Sequence, residues 1–175
     1  MLMLHPAQLP SGALMAVDPG EKTLGIAVCD AARSLVTPVT TIKRVKFTPD
    51  AQALLKLYDE RKCKGLIVGL PLHMDGGNGK RAQSSRSFVT NLLRLRDLPV
   101  AYQDERLSTF AATEALIEAG VKPSARKDYV DAQAAAVILE AALLRIKEGA
   151  PRFGGEPARG SGGDQGGDSG GDTPL

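Results

Sequence analysis

The chain has 175 residues, of which 43% are hydrophobic, and a net charge of +2. This length suffices for one domain, but it would leave two domains too small to bury good cores. No stretch approaches the ~18 uncharged apolar residues of a membrane-spanning helix, and the first eleven residues lack the basic and apolar regions of a secretion signal. Cys29 and Cys63 stand singly, without metal-ligand spacing. We therefore expect a cytoplasmic protein with reduced thiols and no membrane association.

Composition divides the chain into unequal parts. Residues 151–175 hold nine of the nineteen glycines and carry a net charge of −2, so the preceding 150 residues carry +4. Such a segment buries too little apolar surface to offset the entropy lost on ordering. The sequence therefore predicts a flexible N-terminus over residues 1–12, a folded domain over 13–149 and a disordered Gly/Asp-rich tail over 150–175.

The first half of the predicted domain reads as strands. Three apolar segments, Leu14–Asp18, Leu24–Cys29 and Leu35–Ile42, are joined by short polar connections, which is typical of antiparallel hairpins in a meander. Pro38 interrupts the third segment and has no N–H to donate. We expect that strand to lie at a sheet edge or to carry a bulge.

The second half alternates helices with strands. Helical spacing and continuous apolar runs predict, in order, a helix over Pro49–Lys62, a buried strand over Gly65–Pro71, a basic helix over Ala82–Arg96, a strand over Val100–Asp104, a helix over Phe110–Ala119 and a last helix from Ser124 or Asp128 to about Lys147. A meander followed by alternating helices and strands predicts an α/β domain with a mixed sheet and helices on its faces.

Four acidic residues lie at the ends of predicted elements. Asp18 ends the first strand, Asp104 and Glu105 end the last one, and Asp131 lies about one turn into the last helix, where two following alanines permit close packing on the sheet. Clustered carboxylates repel one another unless a cation holds them, and Mg²⁺ prefers oxygen ligands. Two such ions about 4 Å apart would activate a water for phosphodiester hydrolysis.

Each acid also has a simpler interpretation. Asp18 suits a turn after a strand, and Asp131 suits the first turn of a helix, where it complements the helix dipole. Asp104, Glu105 and Arg106 together suit a surface ion-pair cluster.

Short motifs occur in four segments: Asp18–Ala27, Gly69–Gly76, Asp104–Thr109, and the last helix around Lys127 and Asp131. Together they resemble the YqgF family, whose members resemble the RuvC-type Holliday junction resolvases. Asp18–Ala27 is similar to the family's DxGxKRIGxA opening, and Gly69–Gly76 is similar to its GLPxxxDG segment. Asp104–Thr109 matches its DERxST block without change, and Lys127 and Asp131 resemble its last acidic helix. The segments occur in the family's order and span nearly the whole predicted domain.

The resemblance implies an RNase H-like fold, with a five-stranded mixed sheet and helices on both faces. It also implies a hydrolase of ester bonds, a nuclease that uses Mg²⁺ or Mn²⁺ in 5′-end maturation of pre-16S ribosomal RNA. Carried over by position, the catalytic and metal-binding acids are Asp18, Glu105 and Asp131. Because side chains alternate along a strand, only one of Asp104 and Glu105 should face the site, and the role of Asp104 stays open.

Basic residues near these segments are candidates for nucleic-acid binding through phosphates. They are Lys22, Lys80, Arg81, Arg86 and Arg106. Lys22 also suits an ion pair with Glu21, and Lys80, Arg81 and Arg86 suit a solvated helix face. Thr23 departs from the family motif, which has an arginine there, and this removes a bidentate phosphate contact.

Several functions share these features. Structured RNA such as pre-rRNA and branched DNA are both candidate partners, because a junction-resolving DNA endonuclease would use the same acids. A junction resolvase would work as a symmetric dimer, and the sequence leaves a monomer and a homodimer open. A non-catalytic nucleic-acid-binding regulator is a further alternative. A sugar-kinase-like phosphotransferase would need a second domain for ATP, and the chain has no room for one.

Overall fold

The computed structural model describes residues 2–3, 5–70, 79–104 and 123–149, and of Met3 and residues 123–130 it describes the backbone only. The strands are β1 (Leu2–Met3), β2 (Leu14–Pro19), β3 (Thr23–Cys29), β4 (Val36–Lys43), β5 (Gly65–Leu70) and β6 (Val100–Asp104). The helices are α1 (Phe47–Glu60), α2 (Lys80–Leu95) and α3 (Pro123–Glu148), with a 3-10 helix at Pro6–Gln8. The predicted helix Phe110–Ala119 lies outside the described residues. None of the described helices is long and apolar enough to cross a membrane.

All strands within the described residues form one mixed sheet in the order β1-β6-β5-β2-β3-β4. β2, β3 and β4 pair antiparallel, whereas β5 pairs parallel with both β2 and β6. The predicted mixed sheet of five strands, with a meander followed by crossovers, is therefore confirmed. β1 adds a two-residue sixth strand, parallel to β6, that the sequence did not predict.

The first residues have regular structure where the sequence predicts flexibility. Leu2 and Met3 pair with the free edge of β6. His5 then caps the 3-10 helix, because its Nδ1 accepts the Ala7 N–H at 3.1 Å while Gln8 Oε1 accepts the His5 N–H at 2.9 Å. The capping contacts supply hydrogen-bond partners that a hydrophobicity pattern does not reveal. The division of the chain into three segments stays a prediction.

The strands agree with their sequence patterns. β6 spans the predicted Val100–Asp104, and every residue of β5 is buried, as a continuous apolar run predicts. β4 is an edge strand, and its register with β3 shifts between Ile26 and Ala27, beside Pro38. Both of the expected consequences of Pro38 are therefore present.

Helices cover both faces of the sheet. α1 and α2 pack on one face over a core that includes Met15, Val17, Leu54 and Leu92. α3 covers the other face, where its alanines meet small and aliphatic residues of the strands, as at Ala16. Small side chains bring the α3 backbone close to the sheet. Residues on the α3 face and residues on the α1/α2 face consequently alternate along every central strand.

Candidate carboxylate site

Asp18 lies near the end of β2 and is only 7% exposed. It has the same strand parity as Leu14 and Ala16, whose side chains belong to the core under α3. Because successive side chains of a strand point to opposite faces, the carboxylate of Asp18 lies on the α3 face. Its register partner on β3 is Gly25. A charged group is thus held within the sheet, opposite a residue with no side chain.

The backbone of helix α3 lies directly over Gly25 of the sheet. A Cβ added there would lie 1.9 Å from the carbonyl oxygen of Asp131 and 3.1 Å from the amide nitrogen of Ala132. The backbone of α3 therefore rests directly on β3 at this point, and no residue larger than glycine fits beneath it. This contact brings Asp131 of α3 to the position on β3 that pairs with Asp18.

Asp131 is half-buried and accepts a hydrogen bond from the Thr23 hydroxyl, with 2.5 Å between Thr23 Oγ1 and Asp131 Oδ2. Thr23 is the first residue of β3, and its carbonyl accepts the Gly20 N–H at 2.8 Å, which closes the turn between β2 and β3. The same residue thus anchors the turn after Asp18 through its backbone and Asp131 through its side chain.

Asp104 ends β6 on the opposite face from Asp18. Val100 and Tyr102, which share its parity, pack with the core under α1 and α2, whereas Ala101 belongs to the core under α3. Glu105 and Arg106 follow Asp104 directly and lie outside the described residues. The described ranges bring together Asp18 and Asp131 of the predicted acids.

The chemistry of these two side chains fits a hard divalent cation, because both offer carboxylate oxygens and one is withdrawn from solvent. Two carboxylates alone do not complete a metal site. Within residues 2–3, 5–70, 79–104 and 123–149 no group of three His, Cys, Asp or Glu side chains is suitably placed to hold a metal ion. The third predicted ligand, Glu105, falls in a gap between these ranges.

Two of the predicted basic residues lie beside the β2–β3 turn. Lys80 and Arg81, at the start of α2, line a cavity of about 190 Å³ together with Gly20 and Glu21 of that turn. Lys22 is exposed in the same turn. Arg86 lies more than a turn further along α2 and is half-buried. Positive charge therefore borders the turn that follows Asp18, while Arg86 lies apart from it.

Arg44 is a basic residue at the turn that the sequence prediction missed. Its guanidinium donates to the Gly20 carbonyl at 2.6 Å and lies 5.8 Å from the centre of the Phe88 ring. The backbone N–H of Arg44 donates to the Lys22 carbonyl at 2.9 Å. Arg44, which directly follows β4, thus connects the turn to Phe88 of α2. Its partner groups are backbone carbonyls, which leave no trace in a motif.

Gly25 and Thr23 are two further residues whose roles the sequence prediction missed. A glycine inside a β-branched strand often marks a close backbone approach, and this signal was available for Gly25. No local signal was available for Thr23, because its partner Asp131 lies 108 residues away.

The sheet order, the antiparallel meander and the acid at the end of the first long strand define an RNase H-like α/β domain. The family model described as "RuvX: Holliday junction resolvase" matches residues 12–145. The chain belongs to this family, which confirms the resemblance drawn from its motifs.

Curated relatives cover most of the chain. A protein of Phenylobacterium zucineum is 49% identical over 140 residues, 79% of this chain and 90% of its own length. One of Paramagnetospirillum magneticum is 48% identical over 148 residues, 82% of this chain and 96% of its own. Both are named "Putative pre-16S rRNA nuclease". Among solved structures, Thermus thermophilus RuvC with a Holliday junction substrate is 16% identical and has a TM-score of 0.48, covering 77% of this chain and 96% of that one.

Proposed function

We propose that this chain is a divalent-metal-dependent nuclease that hydrolyses phosphodiester bonds in the precursor of 16S ribosomal RNA. The observation that carries the proposal is the convergence of Asp18 and Asp131 at Gly25, on one face of the sheet. The names of the relatives support the substrate. A nuclease acting on ribosomal RNA precursors would work in the cytoplasm.

Asp18, Glu105 and Asp131 are the proposed ligands. Asp18 is 7% exposed, so its carboxylate is largely withdrawn from solvent. Two carboxylates at one position repel each other, and a cation between them removes that cost. When bound, Mg²⁺ or Mn²⁺ would polarise the scissile phosphate and lower the pKa of the attacking water. Asp104 is left out of the set because it faces the other side of the sheet.

The basic residues of the turn support a nucleic-acid substrate. Lys22, Lys80 and Arg81 border the residues that follow Asp18, where they would neutralise phosphates on the flank of the scissile bond. Arg106 belongs to the same proposed set. Arg86 would contact only a longer substrate, because it lies further along α2. A binder without catalytic activity gains nothing from carboxylates beside phosphate, which argues against the regulator.

A Holliday junction endonuclease is the second candidate function, because the family model's description names that activity. The same acids would serve both reactions. The candidates differ in substrate shape and in symmetry, since a four-way junction presents two equivalent cleavage sites to a two-fold dimer. A direct comparison of substrates separates them.

The test uses the purified full chain, an end-labelled pre-16S RNA fragment and a labelled four-way DNA junction, each with Mg²⁺, Mn²⁺ or EDTA. We expect metal-dependent RNA cleavage, which Asp18→Asn, Asp131→Asn and Glu105→Gln each reduce by at least about a thousandfold. Asp59→Asn is the matched control, since Asp59 is exposed on α1 and pairs with Arg96 at 2.9 Å. Asp104→Asn should keep most of the activity.

Four outcomes would contradict the proposal. Cleavage of equal rate in EDTA would exclude the metal, and an active Asp18→Asn variant would exclude the carboxylate site. Cleavage of the junction alone would transfer the function to the DNA endonuclease. Binding of RNA without any cleavage by the parent protein would favour the regulator.

A further inference from the structure

Thr23 makes a hydrogen bond to one of the proposed metal ligands, Asp131. Its hydroxyl donates to Asp131 Oδ2 across 2.5 Å, a short hydrogen bond to a charged acceptor. Thr23 has the strand parity of Gly25, so its side chain also lies on the α3 face of the sheet. The hydroxyl and the Gly25 contact therefore hold Asp131 from two sides, one at the carboxylate and one at the backbone.

The position of Thr23 is itself well determined. The Thr23 carbonyl accepts the Gly20 N–H at 2.8 Å, and Thr23 pairs with Lys43 of β4 in the sheet. A β-branched side chain has few rotamers on a strand, so little freedom remains at its Oγ1 atom. By contrast, an aspartate on a helix can rotate about two bonds and present either oxygen. A fixed donor removes that freedom from Asp131.

A carboxylate with one oxygen held by a hydroxyl presents its other oxygen in a defined direction. Hydrogen bonds from neighbouring groups orient the carboxylates that bind metals, and their loss typically weakens metal affinity or activity 10- to 100-fold. Thr23 supplies such a bond from the residue that also closes the turn after Asp18. The two proposed ligands Asp18 and Asp131 are thereby linked through one residue.

We propose that Thr23 is the positioning residue of the carboxylate site, fixing the Asp131 carboxylate through its hydroxyl so that Asp131 and Asp18 bind one divalent cation together. The inference rests on the proposed function, because it requires that these acids bind a metal. It assigns to Thr23 a role in metal affinity in place of the phosphate contact that an arginine would make at this position.

Mn²⁺ binding to the full-length protein tests the proposal without any substrate. Free Mn²⁺ is measured by its paramagnetic resonance signal for the parent, Thr23→Val and Thr23→Ser. Valine keeps the shape but removes the hydroxyl, and we expect Mn²⁺ affinity to fall about 10- to 100-fold. Serine keeps the hydroxyl and should restore most of that loss. Thr40→Val is the matched control, since Thr40 pairs with Ile26 on the other face of the sheet and should bind like the parent.

The unfolding temperature in EDTA separates positioning from general damage. We expect Thr23→Val to lower it by no more than about 5 °C, because one hydrogen bond is lost and the core is unchanged. Should the loss of stability be larger, Thr23→Ser decides: restored affinity supports the proposal, and unrestored affinity overturns it.

Asp18→Asn and Asp131→Asn distinguish a wrong role for Thr23 from a wrong metal site. If both weaken Mn²⁺ binding while Thr23→Val binds like the parent, the role of Thr23 is wrong and the metal site stands. If neither affects Mn²⁺ binding, the metal site is wrong and the role of Thr23 falls with it.

Discussion

The hydroxyls of Thr23 and Ser85 are in contrasting environments. Thr23 donates to a carboxylate, whereas Ser85, 1% exposed on α2, has no hydrogen-bond partner for its Oγ atom among the described residues. A buried hydroxyl that makes no hydrogen bond costs about 1–3 kcal/mol relative to one that does. The two residues therefore should respond differently to loss of the oxygen.

Ser85→Ala should leave the free energy of unfolding unchanged or raise it by about 1 kcal/mol, because the substitution removes an unsatisfied polar atom and improves helix propensity. Urea unfolding of the full chain measures the change. Ser84→Ala, at the exposed neighbour, gives the propensity effect alone. A loss of more than about 1 kcal/mol at Ser85 would show that its hydroxyl has a partner beyond the described residues.

At the scale of elements, the site depends on the contact between α3 and β3. A Cβ at Gly25 would lie 1.9 Å from the carbonyl oxygen of Asp131 and 3.1 Å from the amide nitrogen of Ala132. Both are backbone atoms, so neither can move away by a change of rotamer. Small residues along α3, including Ala135 and Ala142, continue this close approach over the sheet. The helix can carry Asp131 to Asp18 only because its axis lies this near.

Gly25→Ala should lower the free energy of unfolding by about 2–4 kcal/mol and weaken Mn²⁺ binding, because α3 must move away from the sheet. Gly65→Ala is the control: a Cβ there meets the side chains of Leu14 and Leu9 at 3.0 and 3.3 Å, which can shift, so about 1 kcal/mol is expected. Equal losses at both glycines, measured by urea unfolding, would contradict the special role of Gly25.

At the scale of the whole molecule, the buried ionisable side chains of Cys63 and Tyr58 make the free energy of unfolding depend on pH in the alkaline range. Burial, with a smaller effect of Cys29, raises the pKa of the Cys63 thiol to about 11. Burial likewise raises the pKa of Tyr58 to about 12, with a smaller effect of Cys63. Both groups are 5–6% exposed on the side of the sheet covered by α1 and α2. The folded state therefore keeps protons that the unfolded chain releases.

The contribution of these two groups to stability should consequently be constant below about pH 9 and fall above it. Between the unfolded and folded pKa values of Cys63, the unfolded chain binds one proton fewer, so the free energy of unfolding drops by up to about 1.4 kcal/mol per pH unit. Tyr58 adds to the slope above about pH 10. Urea unfolding from pH 7 to 10.5 measures the slope. Burial also raises the pKa of the Cys29 thiol, so Cys63→Ala should reduce the slope between pH 9 and 10 without abolishing it, and an unchanged slope would exclude the Cys63 thiol as a cause.

Local patterns determined most of the fold. The apolar run of β5, the interruption at Pro38 and the helical spacing of α2 each predict their element within a few residues, because backbone preference and burial act over short stretches. Helix starts were less accurate: α1 begins at Phe47, two residues before the predicted Pro49, where the Phe47 ring packs edge-on against Phe88 at 5.9 Å between ring centroids. A packing contact from a distant helix extended it.

The candidate site likewise has features that the sequence predicted and features that only the structure showed. Asp18 and Asp131 were identifiable because they stand in motifs at the ends of elements, and Asp104 could be named only as one of two candidates, since its direction depends on the register of β6. Only the tertiary structure showed that Asp104 faces away from Asp18. The physical reason is that strand alternation specifies opposite faces without saying which face is which.

The amino-acid sequence by itself predicted the longer strands, their mixed pairing and the family, and it named the candidate acids, because all of these arise from residue types and short spacings. The tertiary structure alone decided that Thr23 donates to Asp131, 108 residues away, and that the α3 backbone rests on Gly25. Contacts of this kind join surfaces that meet only when α3 packs on the finished sheet. Their geometry depends on the whole core, because a helix axis is placed by every side chain beneath it.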